Sequence, residues 1–377
     1  MTLRKTILYL HLTLGCVAGA VIFIMSATGV LLAYERQITN WAERGYRHEP
    51  AAGAVRLPMD DVVAAASAIA GSAPSSVLWR NDPAAAVEVG FGRDRTLFVN
   101  PYTAQILGEG AKSVRAFFQH VEDWHRWLAM SGASRATAKA VTGACNLMFF
   151  ALVCSGLFLW WPRNGWANGV RWFSRKLSGR ARDFNWHNTI GFWCCVPLFV
   201  VVFCSVVMSY QWANSLVYRA TGNEPPKPQL RGEVVVRGER KQHGSEESTW
   251  MEPLRLKAEQ RVMEWKTITL RMAPGEEKTA AFTIDSGDGG RPDKRAQLTL
   301  DRASGAEMRW EPFAGYNSGR KLRTWIRFTH TGEAGGVIGE TIAAVASLGA
   351  CFLVWTGIAL SIRRFRAWMG RRKAAVG

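Results

Sequence analysis

The chain has 377 residues, enough for two or three domains, with 48% hydrophobic residues and a formal net charge of +17. That excess of Lys and Arg is gathered at the ends of long apolar runs, where membrane topology uses it, so no nucleic-acid partner is expected. All seven cysteines fall inside those runs, which excludes a disulfide-stapled exterior.

In chain order, the first apolar run extends from Ile7 to Tyr34, behind a short N-terminus carrying Arg4 and Lys5. It is far longer than the apolar stretch of a secretory signal, which predicts a retained helix. An external segment follows. PMDDVVAAASAIAG (58–71) predicts a helix with acids in its first turn, AVEVGF (86–91) and TLFV (96–99) predict strands around a turn at Gly92 to Arg95, and NPYTAQILGEG closes a second hairpin. The aromatic and basic stretch FFQHVEDWHRWLAMSG then leads into a second run, Ala140 to Trp161.

The next loop holds Arg163, Arg171, Arg175, Lys176, Arg180 and Arg182 against Asp183 alone, and a third run spans Thr189 to Tyr210. Pro225, Pro226 and Pro228 open a linker continued by GERKQHGSEES. A helix over 251–264 and strands in KTITLRMAP, KTAAFTID and AQLTLDR repeat the helix-then-sheet order of the first segment, with SGDGGRPDKR as a turn. KLRTWIRFTHTGEAGG precedes the fourth run, Thr341 to Ile362, and a tail with Arg363, Arg364, Arg366, Arg371, Arg372 and Lys373.

Each run is free of Asp, Glu, Lys and Arg and long enough, at ~1.5 Å per residue, to cross ~30 Å of hydrocarbon. The expected fold class is therefore an integral membrane α-helical protein: a four-helix transmembrane bundle in contact with membrane lipid, with two external α+β modules and an internal duplication. The expected boundaries are a first helix in 1–36, a module in 37–112, an interfacial helix and second span in 113–162, and a basic loop in 163–186. A third span in 187–214, a second module in 215–318, an interfacial helix and fourth span in 319–362, and a tail in 363–377 complete the order. Because the basic residues flank the short segments, these are placed in the cytoplasm and the long ones outside.

The halves echo each other. YLHLTLG and NWHNTIG each carry a histidine with a glycine four residues on, Gly15 and Gly191, on the same helix face. SGLFLWW and TGIALSI share a small-residue signature late in spans two and four. Four of the seven histidines, His11, His125, His187 and His330, each introduce one span. If the spans alternate in direction, His11 pairs with His187 at one face and His125 with His330 at the other. Two imidazole pairs at opposite ends of a bundle suit two stacked b-type haems, with the four histidines as axial iron ligands and Gly15, Gly19 and Gly191 making room for the porphyrin. No C-x-x-C-H occurs, so covalent attachment is excluded. Cys194 and Cys195 are adjacent, the wrong spacing for a redox pair, and the thiols are read as packing. No H-E-x-x-H cluster suggests zinc, and neither nucleotide-binding glycine fingerprint is present. His120 is a possible substitute ligand. His48 and His243 lie in polar sequence without supporting partners, and Met25, Met148 and Met208 read as apolar filling.

YLHLTLG with SATGVLLAYE, WHRWL with SGLFLWWPR, WHNTIGF, and FTHTGEAGG with the W-T-G of span four resemble the bacterial PepSY-associated transmembrane proteins over nearly the whole chain. Span three departs, reading CSVVMSY where a small residue and glycine belong. The resemblance implies PepSY-like periplasmic modules and an inner-membrane ferric-siderophore reductase with two b-type haems. His11 and His187 would ligate the cytoplasmic-side haem, and His125 and His330 the periplasmic-side haem. Trp124, Arg126, Trp127, Arg323, Trp325 and Arg327 become candidates to frame the outer haem. The ferric siderophore is the expected substrate, with a cytoplasmic protein or membrane quinol as electron donor. The alternatives are a non-catalytic membrane protein binding a periplasmic partner, and a haem or metal permease, which the absence of charge within the runs disfavours.

Overall fold

The computed structural model of the chain describes residues 2–93, 95–161, 172–226, 249–272 and 278–374. The expected turn residue Asp94, residues 163–171 of the expected basic loop, and residues 227–248 of the linker, with His243, lie outside these. Two compact units emerge: residues 1–36, 117–217 and 325–377 form one, and residues 37–116 and 218–324 the other.

The first unit is built on four long helices, α1 (Leu3–Leu32), α5 (Ser134–Trp160), α6 (Gly179–Ser209) and α10 (Gly336–Ala374), all long and apolar enough to cross a membrane; the short helices α2 (Glu35–Ala42) and α7 (Gln211–Ala220) follow α1 and α6 in the chain. Both α5 and α10 pack against α1, and both pack against α6, so α1 and α6 face each other across the diagonal of a bundle. Direction follows from contacts. Arg4, at the start of α1, donates to the Leu159 and Trp161 carbonyls at the end of α5, and Tyr34 beyond the end of α1 donates to Thr341 near the start of α10 at 2.9 Å. The helices therefore alternate up and down. Ala18, Ile22 and Cys145 fill one part of the interior, and Cys194, Leu198, Ala346 and Ala350 another. The expected packing role for Cys145 and Cys194 matches this burial.

The helices outrun their apolar stretches. As a result Glu340 lies within α10, almost fully buried, and its carboxylate meets Arg36 at 3.0 Å. Asp183 lies within α6, buried, between Arg182 at 3.0 Å and Arg363 at 3.1 Å. The apolar runs are free of charge, but the bundle helices are not.

The second unit is one antiparallel sheet. Its strands are β1 (Ser76–Arg80), β2 (Val87–Phe91), β3 (Arg95–Val99), β4 (Ile106–Gly108), β5 (Thr267–Arg271), β6 (Thr279–Asp285), β7 (Arg295–Asp301) and β8 (Glu307–Pro312), in the order β4-β3-β2-β1-β5-β6-β7-β8. The sequence expects two modules; β1 pairs with β5, Val77 opposite Leu270, so the strands of both segments share one sheet. The reason is elementary. Each segment alone would leave an open strand edge with unpaired amides and carbonyls, and pairing the two edges satisfies both.

Helices α3 (Met59–Ala70) and α8 (Met251–Arg261) cover one face of the sheet, and a single core joins Met59, Val62, Leu254 and Ala258 to Trp79, Val89, Leu97, Phe282 and Leu298. Neither helix caps itself. The Asp60 carboxylate accepts from the Met251 and Glu252 amides at 3.0 and 2.8 Å, and Glu252 accepts from the Met59 amide at 2.8 Å. Each first-turn acid thus satisfies the exposed donors of the other helix. Burial raises the Glu252 carboxyl, but Arg255 and the Met59 amide outweigh it and hold the group below its ordinary value.

Trp79 is the largest of the fully buried side chains, with Arg255 4.6 Å over its ring. Trp79→Ala is expected to destabilise the sheet unit by about 3–5 kcal/mol. Limited proteolysis across a temperature ramp reads this directly, and a midpoint unchanged from the parent would contradict the packing described.

Candidate functional site

All four span-introducing histidines belong to the bundle unit. Two lie in the long helices themselves. His11 in the first third of α1 and His187 in the first third of α6 approach across the diagonal, with ring centres 6.4 Å apart and planes at 85°. The other two sit at the ends of amphipathic helices, His125 in α4 (Lys112–Trp127) and His330 in α9 (Ser318–His330).

Each Nδ1 is held. His11 Nδ1 lies 2.9 Å from Ser155 Oγ of α5, and His187 Nδ1 2.9 Å from Thr356 Oγ1 of α10. His125 Nδ1 lies 3.0 Å from Thr28 Oγ1 of α1, and His330 Nδ1 2.9 Å from the Val201 carbonyl of α6. Thr28 is roughly 25 Å farther along α1 than His11, at ~1.5 Å per residue, so the two histidine levels are well separated. Burial, followed by the positive charge His330 would carry nearby, pushes the His125 imidazole down to about 4, and burial lowers His330 as well.

Glycines beside the hydroxyls give the rings space. A Cβ on Gly156 would stand 3.4 Å from His11 Cε1, one on Gly357 3.3 Å from His187 Cε1, and one on Gly29 3.5 Å from His125 Cε1. Gly15 and Gly191 face elsewhere: a Cβ there would meet Leu152 at 3.9 Å and Leu353 at 3.7 Å. Gly19 packs against Val354 and Ile358. Sequence reasoning therefore chose the glycines on the histidines' own helices and passed over those on the neighbours. Thr28-Gly29, Ser155-Gly156 and Thr356-Gly357 are a hydroxyl residue followed by glycine, visible in SATG, CSG and WTG. The shared signature was the available signal.

The candidate framing residues have surface partners. Trp124 is exposed; Arg126 pairs with Glu122 at 2.6 Å and lies 4.3 Å over Trp127, whose ring Arg135 also approaches to 4.3 Å. Arg327 is exposed and lies 5.2 Å over Phe328. Arg323 falls in the sheet unit and Trp325 in the bundle. Immediately after His125 and its neighbours, Leu128 and Ala129 both adopt left-handed backbone, at φ 51° and 58°. Their amides bond back to Trp124 and Asp123, which ends α4 and turns the chain into α5. Two such residues in succession cost on the order of 1–3 kcal/mol each.

His120 is exposed on α4, and His48 belongs to the sheet unit, with its ring 5.7 Å from Tyr102. Neither joins a histidine pair. Among the described residues, no group of three or more His, Cys, Asp or Glu could hold a bare metal ion.

Four helices long and apolar enough to cross a membrane define a multi-pass membrane protein. The chain belongs to the family of the PepSY-associated TM region, whose model matches residues 8–364. Curated proteins yield no match.

Proposed function

We propose that this chain is a di-haem b oxidoreductase that carries electrons across the bacterial inner membrane and reduces ferric siderophore on the periplasmic side. The observation that carries the reading is the 6.4 Å separation of the His11 and His187 rings. An imidazole nitrogen bonds a transition metal at about 2 Å and stands about 1.2 Å from its ring centre, so two imidazoles on opposite sides of one metal have centres about 6.4 Å apart. The donor chemistry agrees. Among the described residues, each level of the bundle offers imidazoles without an accompanying carboxylate or thiolate cluster, which would complete the coordination of an iron already held by a porphyrin better than that of a bare ion.

His11 and His187 would hold one haem, and His125 and His330 the other. When bound, each haem would supply one-electron redox chemistry in a low-dielectric layer. The protein's own residues do the rest. The diagonal histidines set the cofactor's place, the small residues of the bundle admit it, and the apolar helices keep water from it. Basic residues at one end of the bundle, among them Arg4, Arg182, Arg363 and Arg364, favour that end in the cytoplasm. On the outer side the substrate is Fe(III) held by hard oxygen donors. One electron gives Fe(II), which those donors hold less firmly, so the chelate loosens.

The test is anaerobic. Protein reduced with dithionite and freed of excess reductant is mixed with ferric hydroxamate and ferric catecholate chelates, and reoxidation of the haem band is followed alongside trapping of Fe(II) by ferrozine. Matching amounts of oxidised haem and trapped Fe(II) are expected. Haem that stays reduced with every chelate would contradict the substrate assignment and leave an electron carrier or a partner-binding protein.

A further inference from the structure

We infer that Thr28, Ser155 and Thr356 are positioning residues that fix the tautomer of the histidine each one touches, so that Nε2 is the nitrogen left with a free lone pair. This deepens the haem reading and rests on it for its purpose, but the tautomer itself does not depend on any cofactor.

The argument follows from counting protons. A hydroxyl has one hydrogen to donate. Ser155 Oγ donates to the Ala151 carbonyl of its own helix at 2.6 Å, Thr356 Oγ1 to Phe352 at 2.7 Å, and Thr28 Oγ1 to Ile24 at 2.7 Å. With its hydrogen committed there, each oxygen meets its histidine only as an acceptor. The hydrogen between Ser155 and His11 must therefore sit on Nδ1, and the same holds for Thr356 with His187 and Thr28 with His125. A neutral imidazole with hydrogen on Nδ1 carries its lone pair on Nε2. Metal-bound histidines usually have their other ring nitrogen tied in this way, which fixes both ring angle and basicity.

The fourth histidine reaches the same state by another route. Where span one has Thr28 and Gly29, the corresponding positions of span three are Cys204 and Ser205. His330 Nδ1 turns instead to the Val201 carbonyl, which can only accept. The departure of CSVVMSY from the repeat is thus absorbed by main chain, and His330 keeps its hydrogen on Nδ1. A glycine follows each of the three hydroxyls; a Cβ at Gly357 would crowd the His187 Cε1 at 3.3 Å, and those at Gly156 and Gly29 would reach ordinary contact with His11 and His125.

Two measurements test this on the full-length chain in lipid bilayers. In protein produced under haem starvation and labelled with ¹⁵N-histidine, solid-state NMR should show the bundle histidines with hydrogen on Nδ1, and Thr356→Val should move the His187 signals alone. In haem-loaded protein, Thr356→Val should lose one haem to apomyoglobin about 10- to 100-fold faster than the parent, and Thr356→Ser should restore the parent rate. Hydrogen on Nε2 of His187 in the unsubstituted chain overturns the proposal. So does a Val variant whose NMR signals and haem loss both match the parent, or a Ser variant as impaired as Val, which would mark packing rather than the hydroxyl. A chain that binds no haem yet shows Nδ1–H histidines sinks the haem reading while leaving the tautomer assignment standing.

Discussion

His187→Ala should lower the haem content of the purified protein from about two per chain to about one, and His11→Ala should remove the same haem. The two rings face each other at 6.4 Å, so either substitution would remove one of the two imidazoles that would hold the same haem. The other site is spared, because Thr28, which holds His125, lies roughly 25 Å from His11 along α1. His125→Ala or His330→Ala should spare the first haem and remove the second. The double change His11→Ala with His187→Ala should cost no more haem than either single change, whereas His187→Ala with His125→Ala should leave the protein almost colourless. Pyridine haemochromogen assays on the single and double variants check this. Loss of the same haem from His187→Ala and His125→Ala would break the proposed pairing.

Arg36→Leu should destabilise the bundle unit by about 3–5 kcal/mol, because it removes the cation paired at 3.0 Å with the Glu340 carboxylate, which is 2% exposed inside a long bundle helix. Glu340 cannot turn away cheaply. Its backbone packs directly on Gly332, where a Cβ would come within 2.6 Å of the Glu340 Cα and of the Gly339 carbonyl, and Gly332 itself has φ +81°. Replacing both members, Arg36→Leu with Glu340→Leu, should recover most of the loss, since a buried ion pair exchanged for apolar residues of similar size is often near neutral. Thermal unfolding in detergent across the four-member mutant cycle measures the coupling. A double variant no better than Arg36→Leu would show that the pair is not what holds the two groups.

The four helices were legible because a bilayer demands long uncharged runs, and the runs at Ile7, Ala140, Thr189 and Thr341 have no soluble counterpart of that length. Their ends were not. Glu340 and Asp183 look like loop residues to a rule that stops at the first charge, yet helical hydrogen bonding continues past it when Arg36, Arg182 and Arg363 supply partners. The strands of the two external segments were mostly visible by alternation. β1 was missed because SVLWR is short and sits among Pro, Ser and Asn, and β8 because EMRWEP mixes charge with proline. Without β1 the joining of the sheet could not be foreseen, since the pairing of Ser76 with Arg271 and of Arg80 with Thr267 is made by backbone amides that carry no sequence signal. The histidines stood out by position. Their hydroxyl partners lie 97 to 169 residues away in sequence, and only folding brings them together.

Haem quantitation of the purified, full-length protein tests the central claim most directly. The account predicts about two non-covalent b-type haems per chain, both low-spin and both reducible by dithionite. A preparation that stays colourless after expression with ample haem would contradict it.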